Sequence, residues 1–163
     1  FNNLLDESII SQLTNSVLTY SDLITNRRTD YKFDLEKFTN VNGKTGIYVQ
    51  YSQVRARKLL ENIEIKNNMV NHLNLNNIDK ELLSKLYLFS YFLEQSALLN
   101  EPHHLANYLY EISNLFNQFY ESEKISEIDE LDYLSSKIYI TNLFLTTSQN
   151  VMLCLGIVPV SKM

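Results

Sequence analysis

The stretch Gly43-Lys44-Thr45-Gly46-Ile47-Tyr48-Val49-Gln50-Tyr51-Ser52-Gln53-Val54-Arg55 holds the residue types with the clearest chemical potential in this chain. Tyr51 and Arg55 stand four apart, which on a helix puts them on one face. Gln50 and Gln53 bring amide donors and acceptors beside them. A ring next to a guanidinium suits an unpaired RNA base: the ring stacks on the base while the arginine reaches a phosphate or a base edge. Stacking of this kind contributes roughly 1–3 kcal/mol per base. Spacing alone speaks more for a plainer outcome, Tyr51 in a core and Arg55 a solvated charge, because tyrosine at helical spacing is common in cores.

Elsewhere the chain offers little catalytic chemistry. Three histidines occur, His72, His103 and His104. Neighbouring residues on a helix point about 100° apart, so His103 and His104 do not easily share a metal and read as surface or capping residues. Gly43-Lys44-Thr45-Gly46 lacks the upstream glycine of a phosphate-binding loop. The acids of 121–123 and 127–132 read as a solvated loop and a helix start. The single cysteine, Cys154, rules out an intrachain disulfide and a metal site built on Cys pairs. In the apolar run Val151–Leu155 it reads as a small buried hydrophobe. The residues therefore point to no catalytic group, no metal and no cofactor in this chain.

What must position the Tyr51–Arg55 pair is a set of helices. With only 3 Gly and 2 Pro in 163 residues, the many tight turns of an all-β fold are not available. Leu4, Leu5, Ile9, Leu13, Val17 and Tyr20 predict a first helix over about 3–20. The segment from Thr25 to Thr39 is polar and interrupted, then carries Tyr31, Phe33, Leu35 and Phe38, which reads as an irregular link with a short helical turn. After the turn signal Asn42-Gly43-Lys44, a second helix runs from Thr45 to about Leu60. The Asn-rich stretch 62–77 reads as a loop, with room for a further short turn or helix. A third helix is expected from about Asp79 to Leu99, capped by Asn77 or Asp79. Pro102 suits the first turn of a fourth helix reaching about Tyr120, with Leu105, Tyr108, Leu109, Ile112, Phe116 and Phe119 facing in. The last helix, about Asp129 to Leu155, begins among acids that favour a helix N-terminus and stops at Gly156. The fold class is all-α, a bundle of about five helices.

Charge sets a limit on partners. The net charge is −5, and it is unevenly spread. Residues 1–66 hold nine Lys/Arg against eight Asp/Glu, whereas 67–163 hold five against eleven. A broad basic face, the mark of a non-specific nucleic-acid binder, is missing. Any RNA contact must use a local patch in the first half together with stacking. Apolar stretches broken by Asn142, Gln149 and Asn150 make no membrane span, and no secretory signal is visible. A cytoplasmic location fits one cysteine. A start at Phe1 reads as a fragment or processed product.

Three blocks then bear on family. Arg27-Arg28-Thr29-Asp30-Tyr31-Lys32-Phe33-Asp34 followed by Gly43 to Arg55 resembles the R-x-x-D-Y-x-F-D and G-N-T-G/A-P-Y-L-Q-Y-x-x-x-R stretches of arginyl-tRNA synthetases. Glu101-Pro102, Leu105, Tyr108-Leu109, Ile112, Phe116-Asn117 and Phe119-Tyr120 are similar to that family's E-P-x-x-L-x-x-Y-L block. Cys154-Leu155-Gly156-Ile157 and Met163 resemble its L-L-G-I ending with a terminal Met. All three lie in family order over about residues 20–163. Lys44 replaces the usual Asn, Ile47 the usual Pro, Lys137 the common Arg, and Val160-Ser161-Lys162 the common Pro-Glu-Arg.

The resemblance implies a helical anticodon-binding domain over 41–163, with residues 1–40 as the tail of a catalytic domain or a linker helix. It implies tRNA(Arg) and the upstream catalytic domain as partners, with no DNA and no membrane. Tyr51, Arg55, Tyr120 and Met163 would meet the anticodon loop, and Arg27, Arg28 and Lys32 could touch stem phosphates; Gln50, by its place beside Tyr51, is a further candidate RNA contact. The complete enzyme joins arginine to its tRNA with ATP. Its His-x-Gly-His and Lys-Met-Ser-Lys-Ser signatures are absent from this sequence, so the active site is expected upstream. Two other readings compete. One is a helical protein–protein interaction domain that keeps the fold without the RNA surface, suggested by the acidic second half. The other, a small helical enzyme, has no residue constellation behind it.

Overall fold

The computed structural model describes residues 6–32, 34–63 and 73–163. Among these, every regular element is helical: α1 Glu7–Ile24, α2 Leu35–Phe38, α3 Gly46–Glu61, α4 Asn77–Leu86, α5 Phe89–Leu99, α6 His103–Ser122, a 3-10 turn Ile125–Glu127, and α7 Leu131–Cys154. Helices α3, α6 and α7 form the centre. Helix α1 lies against α3 and α6, α4 against α6 and α7, and α5 against α6. His72, Leu4, Leu5 and Phe33 lie outside the described residues.

Local chemistry accounts for most helix starts. Asp6 accepts the Ser8 amide at 3.1 Å to open α1, and Thr45 Oγ1 accepts the Tyr48 amide at 3.1 Å to open α3. Asn76, rather than Asn77 or Asp79, caps α4. Its side chain accepts the Asp79 amide while the Asp79 carboxylate accepts the Asn76 amide, a reciprocal capping box. The six inward residues expected of α6 are all buried.

The expected third helix divides. The chain breaks between Leu86 and Phe89, with no Gly or Pro to explain it. The cause comes from another element. The buried Tyr108 hydroxyl of α6 donates toward the Lys85 and Leu86 carbonyls at 3.2 and 3.1 Å, serving acceptors that a continuous helix would bond internally. Beyond the break, α5 has no fully buried residue. Its Tyr91, Leu98 and Leu99 face water.

One glycine is required by packing. At Gly46 an added Cβ would sit 2.4 Å from the Ser16 carbonyl oxygen of α1. Only a residue without a side chain lets α1 and α3 approach so closely. Residues 7–24 thereby join the bundle core, where Tyr20 is fully buried and donates to the Ala106 carbonyl at 3.0 Å.

Helix α7 shows why a continuous apolar run is not a continuous buried face. At 100° per residue, Val151, Met152 and Leu155 point inward while Leu153 and Cys154 point out. The expectation of a buried Cys154 is therefore corrected: its thiol is on the surface. Gly156, at φ 73°, then turns the chain. The Ile157 amide donates to the Met152 carbonyl at 2.8 Å and the Gly156 amide to Leu153 at 3.0 Å. This is the paired closure of a helix end that a left-handed glycine permits. Among the described residues no helix is long and apolar enough to cross a membrane.

Candidate nucleic-acid interface

Helix α3 presents Tyr51 and Arg55 on adjacent turns, and α6 brings Tyr120, Asn117 and Glu121 to meet them. Tyr51 is 43% exposed, so it is not the core residue that spacing alone favoured. The Arg55 guanidinium lies 4.6 Å from the Tyr51 ring centroid and 4.7 Å from that of Tyr120, within cation–π range of both. Its Nη2 donates to the Tyr51 hydroxyl at 2.7 Å, and its Nη1 donates to Asn117 Oδ1 and Glu121 Oε1, each at 2.9 Å. Asn117 is itself pinned, donating to Ser52 Oγ at 2.9 Å. Burial alone would lower the Arg55 pKa, but the bonds to Glu121 and Tyr51 outweigh it and hold it above the ordinary value. The arginine is a fixed cation.

Two open depressions flank this cluster. The larger, about 540 Å³, is bordered by Val41, Tyr48, Tyr51, Arg55, Asn114 and Met163 among others. The smaller, about 200 Å³, adds Lys58 and Tyr120. A hollow of roughly 300–1,000 Å³ is the usual size of a small-ligand site, and the larger one falls in that range. Tyr51 and Arg55 border both depressions.

Met163 reaches this site because the tail is anchored behind it. After the Gly156 turn, Ile157 and Val160 are fully buried. Between them Gln50 clamps the chain: its Nε2 donates to the Val158 carbonyl and to Ser16 Oγ, each at 2.8 Å, and its Oε1 accepts the Val160 amide at 3.0 Å. Gln50 is fully buried, which corrects its expected contact with RNA. Gln53 is equally enclosed and donates to Ser148 Oγ at 2.6 Å. Helix geometry explains both. Gln50 and Gln53, three apart, share the inward side of α3, whereas Tyr51 and Arg55 share the outward one.

The remaining predicted residues fall elsewhere. Arg27 and Arg28 are exposed, and neither borders the two depressions. Arg28 stands 3.8 Å from the Glu101 carboxylate. Lys58 went unnoticed in the sequence, although Tyr51, Arg55 and Lys58 follow an i, i+4, i+7 stripe that signals a shared face. Asn117 was visible only as part of a family block.

Among the described residues, Glu101, His103 and His104 place ligand atoms within 4.8 Å of one another and could hold a metal. Their setting opposes a cation: they sit at the positive end of α6 with the Arg28 guanidinium beside Glu101.

Comparison with known proteins bears on the chain as a whole. An arginine–tRNA ligase of Francisella tularensis subsp. novicida is 34% identical over 141 residues, covering 82% of this chain and 24% of the ligase. That of Alkaliphilus oremlandii is 29% identical over 169 residues, covering 99% and 29%. The chain thus spans under a third of these relatives' length. The crystal structure of arginyl-tRNA synthetase from Plasmodium falciparum matches all of the chain and 29% of its own, with a TM-score of 0.85 and 25% identity. For the Thermus thermophilus arginyl-tRNA synthetase the fold agrees at a TM-score of 0.82 over 93% of this chain and 27% of that one, at 19% identity. The description "DALR anticodon binding domain" fits residues 49–163, and with that match over most of its length the chain belongs to the DALR anticodon-binding domain family.

Proposed function

We propose that this chain is the anticodon stem-loop binding part of an arginine–tRNA ligase and that it recognises tRNA(Arg). The observation that supports this best is the exposed Tyr51 ring beside a guanidinium fixed by three hydrogen bonds, with Tyr120 and Met163 beside them. An unstacked loop base needs an aromatic face and a directional donor, and this site offers both. Arginine carries five N–H donors, so three internal bonds leave capacity for an RNA acceptor.

On this reading the joining of arginine to tRNA, with ATP, belongs to a catalytic domain of the same parent protein. Residues 1–40 would join that domain to helices α3–α7, with α1 packed on α3 and α6. Arg27 and Arg28, exposed and away from the Tyr51 hollow, suit phosphates of the stem better than bases of the loop.

Fluorescence anisotropy with tRNA(Arg) and with a non-cognate tRNA, at low and moderate salt, tests the proposal. Binding should prefer tRNA(Arg) and weaken as salt rises, because phosphate contacts release counterions. Equal affinity for both tRNAs, or no binding at low salt, would refute it.

A further inference from the structure

The Glu121 carboxylate is the most exposed of the three groups bonded to Arg55, the guanidinium at the centre of the proposed RNA site. It lies 2.9 Å from Arg55 Nη1 and its side chain is 66% exposed, against 16% for Arg55. It also borders the larger depression. A carboxylate oxygen in that position stands where a phosphate oxygen would bind, since both accept the same N–H donors.

The other two bonds to Arg55 are of a different kind. Asn117 is only 7% exposed and is tied to Ser52, and the Tyr51 hydroxyl belongs to the same helix as Arg55. With the rings of Tyr51 and Tyr120 at 4.6 and 4.7 Å, these contacts hold the guanidinium when Glu121 leaves. The carboxylate can leave into water, where its exposure makes rehydration easy, and the arginine stays in place.

We propose that Glu121 is a specificity-determining residue: it neutralises Arg55 until an RNA phosphate displaces it together with a base that fills the neighbouring hollow. This rests on the RNA-binding reading above. A bare arginine attracts any phosphodiester, whereas a masked one gains little from a phosphate alone. Exchange of carboxylate for phosphate is close to neutral in charge, so stacking on Tyr51 must supply the net affinity. Only a loop whose bases fit the hollow supplies it. The rest of the molecule is consistent with such masking, because a net charge of −5 already disfavours indiscriminate polyanion binding.

The test compares wild type with Glu121→Gln by anisotropy, using an arginine-tRNA anticodon stem-loop RNA and the same stem-loop with its anticodon bases replaced. Equal melting temperatures of the two proteins establish that the variant folds. Glu121→Gln should tighten the replaced-loop RNA about two- to fivefold, the scale of an exposed ion pair. The cognate loop should gain less, so discrimination falls. Weakened binding of both RNAs by Glu121→Gln would make Glu121 a positioning residue and overturn the proposal, as would unchanged binding of both. Tyr51→Ala separates the two levels. If wild type discriminates and Tyr51→Ala abolishes the preference, the RNA site stands whatever Glu121 does. If wild type binds neither RNA, both the site and the masking fall.

Discussion

At the scale of single residues, the proposed RNA contact rests on a guanidinium held by three hydrogen bonds. Arg55 meets Asn117, Glu121 and Tyr51 through a planar fork, a geometry that an ammonium does not reproduce. Arg55→Lys should keep the charge and the fold but lose most stem-loop affinity, by about five- to a hundredfold if two directed bonds at roughly 0.5–1.5 kcal/mol each are lost. Titration of the variant with the stem-loop RNA checks this; affinity retained would mean that charge alone matters. The Tyr51–Arg55 pair was legible because four-residue spacing fixes a shared face. Whether that face looked outward was not, since tyrosine serves cores and surfaces alike. Gln50 and Gln53 misled for the same reason: their polar type suggested exposure, while one helical step turned them inward to bond buried partners on α1, α7 and the tail.

At the scale of elements, the sequence was readable wherever a helix is governed by its own residues. The apolar spacing of α6, the Thr45 start of α3 and the Gly156 stop of α7 are local signals, and each element formed near its expected bounds. The division of α4 from α5 was not readable, because its cause is a hydroxyl on Tyr108, more than twenty residues away. The C-terminal tail carries Met163 to the proposed RNA site, and Gln50 holds it. Gln50→Leu removes three hydrogen bonds and leaves the Val160 amide and Val158 carbonyl without their partner. It should destabilise the fold by on the order of 1–3 kcal/mol and weaken RNA binding by loosening Met163. Thermal melts and anisotropy on one variant report both effects. A stable Gln50→Leu protein with unchanged affinity would show that the tail does not depend on this clamp.

At the scale of the whole molecule, a buried ion network ties α4 and the chain after α6 to α7. Lys137 of α7 is fully buried, 2.6 Å from Asp79 of α4 and 2.5 Å from Glu123 after α6. The rings of Tyr133 and Phe119 lie 4.7 and 4.8 Å from its ammonium. Removing one partner of such a network strands the others, so Lys137→Met should cost about 3–5 kcal/mol, read by chemical denaturation. Burial alone would raise the Glu123 carboxyl, but bonds from Lys137 and Tyr133 outweigh it and hold the pKa below the ordinary 4.5. Its stabilisation is therefore present above pH 4.5 and is lost as pH falls through the depressed value. Burial would lower Lys137, but bonds to Asp79, Glu123 and Tyr133 hold it above the ordinary 10.5. That contribution is present below 10.5 and is lost as pH rises through the elevated value. None of this network was foreseen from a lone lysine in an apolar helix. It stabilises the scaffold, whereas the RNA-binding claim depends on one exposed face. The most direct test compares Tyr51→Ala with Tyr91→Ala, a tyrosine on α5 that is more exposed still, at 54%. Tyr51→Ala should weaken anticodon stem-loop binding by roughly 1–3 kcal/mol, about five- to a hundredfold, while Tyr91→Ala leaves it unchanged. Equal losses from both, or a loss from Tyr91→Ala alone, would contradict the assignment of the α3 face to RNA.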